Sequence, residues 1–83
     1  MTRFFISNRE IGYVVMRLED DGEGWISTDS IRNFGDRQTD AIEFRDDCND
    51  GMIDDKRLKL LIQTYTEQPY KYMGKGILRK QKA

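Results

Sequence analysis

Histidine is absent from this chain, and with it the side chain that most often serves as general base near neutral pH. Ser–His and Cys–His nucleophile pairs go the same way. Cysteine occurs once, at Cys48, which excludes an internal disulfide; without histidine it also excludes a structural zinc site of the usual kind. A lone thiol with no basic neighbour to lower its pKa reads as an inert packing residue in a reducing, cytoplasmic setting. No apolar run approaches about 18 residues and no signal-peptide pattern opens the chain, so neither a membrane-spanning nor a targeting segment is expected. Gly22-Glu23-Gly24 and Gly74-Lys75-Gly76 lack the remaining spacing of a P-loop or a dinucleotide fingerprint. Carboxylates abound, yet no pair is singled out as a metal or acid–base site. The expectation is therefore a non-enzymatic protein with no cofactor.

What the chain does have is charge, unevenly spread. Residues 1–18 carry three arginines and one glutamate, a net +2. Residues 19–55 carry thirteen acids against Arg32, Arg37 and Arg45, a net −10. Residues 56–83 carry eight basic side chains against Glu67, a net +7. The overall −1 hides this polarity, which points to a charged partner unless the two blocks fold against each other and neutralise. At 83 residues the chain is long enough for one small domain with a thin core, and four Phe, four Tyr and one Trp supply it.

The clearest element is a helix over about 54–67. Leu58, Leu61, Ile62 and Tyr65 fall at i, i+3, i+4 and i+7. Asp54 is placed to cap it, Ile53 and Leu58 to staple its start, and Pro69 to stop it. Arg3 to Ser7 reads as a short strand. From Tyr13 to Glu19, Val14, Met16 and Leu18 alternate with Tyr13, Val15 and Arg17, the signature of a half-buried strand. Asp20-Asp21-Gly22-Glu23-Gly24 is a turn, and Trp25 to Ile31 can return as the partner strand; a short helix over 28–34 is the alternative, and the pattern does not decide between them. Ala41 to Arg45 alternates as a short strand, with a helical turn as the competing reading, and Asp46 to Asp50 follows as an acidic connector. Residues 79–83 read as a flexible basic tail on a single domain spanning 1–83. The architecture expected is α+β: a small antiparallel meander of three to four strands, with the 54–67 helix lying across Val14, Met16, Leu18 and Phe4 or Ile6.

Two binding readings follow. In the first, Asp20, Asp21, Glu23, Asp46, Asp47 and Asp50 lie in two turns that converge on one end of the meander, where they meet a protein with a basic surface. Spaced carboxylates imitate phosphates, so such a protein suits the regulation or inhibition of a nucleic-acid-handling partner. Trp25 and Phe34 would anchor the contact if exposed, although a lone Trp in a small domain more often belongs to the core. In the second, Tyr70, Lys71, Tyr72, Lys75, Arg79 and Lys80 interleave aromatic and basic groups and could hold single-stranded nucleic acid.

The run Asp46-Asp47-Cys48-Asn49-Asp50-Gly51-Met52-Ile53-Asp54-Asp55-Lys56-Arg57 resembles the calcium loop of the EF-hand family. Asp46, Asp50, Gly51, Ile53 and Asp54 match its pattern, which implies a calcium site followed by a helix. Cys48 departs from it where an oxygen ligand belongs, and Arg57 where the family supplies a bidentate glutamate.

Overall fold

The computed structural model describes residues 1–62 and 70–80. Three antiparallel strands open the chain: β1 (Thr2–Arg9), β2 (Gly12–Asp20) and β3 (Ile26–Asn33), in the order β1-β2-β3. Helix α1 (Gln38–Asn49) and helix α2 (Asp55–Leu61) follow, and a separate two-stranded hairpin closes the fold with β4 (Tyr70–Gly74) and β5 (Ile77–Lys80). The class is α+β, with an antiparallel meander as expected. Residues 28–33 belong to β3, which resolves the open choice in favour of a strand.

The helical layer differs from expectation. Residues 41–45 are the middle of α1, not a strand, and Asp46 to Asn49 are its last turn rather than a connector. Ala41 and Phe44 are buried and Cys48 packs against the same core, at i, i+3 and i+7. That spacing outweighs an alternation only five residues long. Within the described residues the second helix is seven residues, ending at Leu61 with Ile62 extended; the rest of the 54–67 expectation, including Tyr65, lies outside them. Its start is as read. The Asp54 carboxylate accepts from the Arg57 amide at 2.7 Å, and Ile53 and Leu58 are both buried.

Phe4 and Ile6 of β1 meet the helices as expected, but the packed face of β2 differs. Phe4, Val15 and Ile31 face the helices and join Phe34, Phe44, Leu58, Leu61 and Tyr72 in one core. Val14 and Met16 are buried on the opposite face, where Arg9 and Ser30 donate to the Met16 sulfur. Both sides of β2 are thus apolar and sheltered at its centre, so alternation alone could not say which side meets a helix. Register slips between Val15 and Met16, leaving Ile31 as the extra residue between Ser30 and Arg32. Ile31 fills the core, while the neighbouring Arg32 guanidinium donates to the Leu61 carbonyl at 2.9 Å and sits 5.2 Å from the Tyr70 ring centre. Gly12 has φ +132°, and a Cβ there would fall 2.6 Å from Gly35 Cα, so the β1–β2 turn and the end of β3 meet only because Gly12 carries no side chain.

The β4–β5 hairpin is tied to both helices. Asp40 accepts from the Tyr72 amide at 3.1 Å. Asp47 Oδ2 accepts from the Tyr72 hydroxyl at 2.6 Å and from the Lys75 amide at 3.1 Å. Arg57 donates to the Gly76 carbonyl at 2.8 Å. Strand β5 takes in Arg79 and Lys80, two residues expected in the tail; 81–83 lie outside the described residues.

Replacing Tyr72 by Phe is expected to destabilise the domain by about 1–3 kcal/mol, because the Asp47 carboxylate and the Gly76 amide both lose a buried partner. A pH series gives a second check. Burial and the neighbouring Asp47 push the Cys48 thiol up to about 12. Burial, then the hydrogen bond to Asp47, raises the Tyr72 hydroxyl above its ordinary value. Above about pH 9 the unfolded chain releases protons that the folded state retains, so stability falls as pH rises. The melting temperature should decline between about pH 9 and 11, and Tyr72→Phe should make that decline shallower.

Candidate functional site

The β2–β3 hairpin runs past the core. Every residue from Asp21 to Asp29 is exposed, and the molecule measures 46 × 27 × 19 Å. Side-chain caps hold its bend: Asp20 Oδ1 accepts from the Gly22 amide at 2.9 Å, and Asp21 Oδ1 from the Glu23 and Trp25 amides at 2.8 and 3.2 Å. These are Asx turns, the reason a run of Asp and Gly bends here. Gly22 and Gly24 supply the positive φ angles the bend needs.

Trp25 is 77% exposed and Ile26 61%, beside the chain's first residue, Met1. With Glu19, Asp20 and Asp21 they border a shallow hollow of about 360 Å³. A second cleft, of about 460 Å³, has a floor of Phe4, Ile53 and Leu58 and a rim that includes Arg17, Glu19, Asp55 and Lys59. Glu19 belongs to both, so the outer end of the hairpin and the α1–α2 turn share a margin. Arg17 reaches Asp29 at 3.4 Å and Glu19 at 4.0 Å, while its Nε is buried without a hydrogen-bond partner among the described residues.

The two acidic turns are used differently. Asp20, Asp21 and Glu23 stand on the hairpin as expected, with Trp25 beside them. In the second group, Asp47 is turned inward onto Tyr72 and Lys75, and Asp46 is paired with Arg45 at 2.9 Å. Asp50 closes α1 and is exposed. Phe34, the other candidate anchor, is buried against Phe44 with ring centres 5.3 Å apart. Acidic side chains that tie hairpin to helix and acidic side chains that face solvent look alike in a sequence; only the packing partner tells them apart.

The basic and aromatic stretch is divided in the same way. Tyr72 is buried with its hydroxyl occupied, so it offers no ring face for stacking. Tyr70 lies against Arg32. Lys71, Lys75, Arg79 and Lys80 are exposed, and Lys71 borders a shallow hollow beside Asp36 and Asp40. The EF-hand resemblance does not produce a loop, since Asp46 to Asn49 are helical, and among the described residues no three His, Cys, Asp or Glu side chains gather as metal ligands. Among those residues no helix is long and apolar enough to cross a membrane. No family model matches the chain, and neither a curated protein nor a solved structure does.

Proposed function

We propose that this protein binds another protein through its β2–β3 hairpin, and that it acts as a regulator or inhibitor without catalysing a reaction. The observation that carries this reading is an exposed tryptophan at the tip of a projecting hairpin whose residues 19–30 include five acids and no base. Trp25 supplies a large anchor with little side-chain entropy to lose, and the surrounding carboxylates steer a basic surface toward it. A basic groove that handles nucleic acid is the partner surface these carboxylates suit best, because clustered carboxylates offer such a groove negative charge like that of phosphates.

A photoreactive amino acid at the exposed Ser27 position can capture the partner in the cell of origin, and the purified complex can then be titrated. The combination Asp20→Asn, Asp21→Asn and Glu23→Gln removes three charges while keeping the side-chain acceptors that shape the bend. Its affinity should fall at least tenfold at low salt, mainly through slower association, and the difference should shrink as salt rises. Unchanged affinity would remove the hairpin from the interface.

A further inference from the structure

The two edges of the meander are treated differently. Strand β1 is blunted: the Asn49 side-chain amide accepts from the Phe4 amide at 2.8 Å and donates to the Phe4 carbonyl at 3.0 Å, imitating a neighbouring strand. Among the described residues, strand β3 has no such cover over its outer half. The direction of its main-chain groups follows from the ladder. The Asp20 amide donates to the Met1 carbonyl at 2.9 Å, so even-numbered residues of β2 bond toward β1. The Asp21 amide donates to Trp25, and the Phe34 amide to Tyr13, so odd-numbered residues bond toward β3. Ser27 and Asp29, opposite Glu19 and Arg17, therefore turn their amides and carbonyls to β2. Ile26, Thr28 and Ser30 turn theirs outward, along about 17 Å of open edge. Two of the usual guards are missing there, since 26–30 contains neither proline nor lysine. The bulge at Ile31 marks the inner limit of the regular edge.

We infer that the free edge of β3 accepts a β-strand from the partner, added antiparallel, with basic side chains alternating with β-branched apolar ones. This rests on the protein-binding reading above and specifies its chemistry. Charge selects the occupant: the edge lies among Glu19, Asp20, Asp21, Glu23 and Asp29, with Arg17 the one cation on the facing strand beside them. An incoming residue opposite Thr28 shares its face of the sheet, beside Ile26 and Leu18, and suits an apolar side chain. Its neighbours fall on the other face, beside Ser27 and Asp29, and suit lysine or arginine. Trp25 closes the outer end of the edge. Main-chain hydrogen bonds would supply affinity, and the alternation would supply selectivity.

The probe is an octapeptide of alternating lysine and valine, titrated into the full chain and followed by amide exchange in NMR. Binding should protect the Ile26, Thr28 and Ser30 amides. N-methylation at the valines, whose amides face β3 in this register, should weaken binding more than tenfold, whereas N-methylation at the lysines should change it little. Thr28→Pro, which removes an outward donor that the sheet does not use, should weaken the peptide at least tenfold; Thr28→Val should not. A peptide that binds equally well with either set of methyl groups, leaving those amides unprotected, would overturn strand addition while leaving the acidic hairpin as a contact surface. Equal binding by the Asp20→Asn, Asp21→Asn, Glu23→Gln protein would instead overturn the charge argument beneath both. Absence of binding at millimolar peptide would overturn the inference. So would protection of the same amides in the protein alone together with a dimer in gel filtration, which would identify the occupant as a second copy.

Discussion

Phe44→Ala is expected to remove a large share of the domain's stability, more than any surface substitution. Phe44 is fully buried, 5.3 Å from both the Phe34 and Tyr72 rings, and these join the sheet side of the core to the β4–β5 hairpin. Truncating such a phenylalanine removes its transfer free energy and leaves a cavity, a loss of about 3–5 kcal/mol. A chain of this length has roughly 4–12 kcal/mol of stability in total. The position also holds α1 against both the meander and β4, so the surroundings have little freedom to close the gap. A melting temperature at least ~12 °C lower is the expected reading by calorimetry or circular dichroism. Leu60→Ala, at an exposed site on α2, should move it by no more than about 2–4 °C, since surface changes stay within about 0.5 kcal/mol.

Trp25→Ala should show the opposite pattern, leaving stability unchanged while affinity for the captured partner falls about thirtyfold or more. The indole makes few contacts with its own chain, so removing it costs the fold almost nothing. In an interface it would be the largest apolar group on the hairpin, and truncation of such an anchor typically loses at least about 2 kcal/mol. Measuring melting temperature and dissociation constant on the same preparation separates the two effects. Trp25→Phe should recover part of the loss if aromatic area is what the partner uses. A Trp25→Ala protein that binds as before would mean the indole is an ordinary exposed residue.

How much of this was legible beforehand varied with the physics of each element. The start of α2 was readable because a cap, a staple and an apolar repeat are local and mutually reinforcing, and Asp54, Ile53 and Leu58 do what their spacing says. Helix α1 was not, because Ile42 and Phe44 alternate with Glu43 and Arg45 over a short window, and the helical stripe shows only when Cys48 is included. The packed face of β2 was misassigned because shelter on both sides leaves no polar side to read against. Asp20, Asp21 and Glu23 could be placed on a bend from composition alone. The inward turn of Asp47 could not, since its partners Tyr72 and Lys75 are more than twenty residues away. Trp25 illustrates the limit best: the rule that a lone Trp is core fails when a hairpin extends beyond the residues that would bury it.

The proposal that the hairpin is the contact surface can be tested without altering a single residue. Hydrogen–deuterium exchange on the unsubstituted chain bound without crosslink to the partner that capture identifies, compared with the free protein, should show new protection concentrated in residues 19–30 and none in 71–80. Protection over Lys71, Lys75 and Lys80 with the hairpin left open would contradict it and place the interface on the basic hairpin instead.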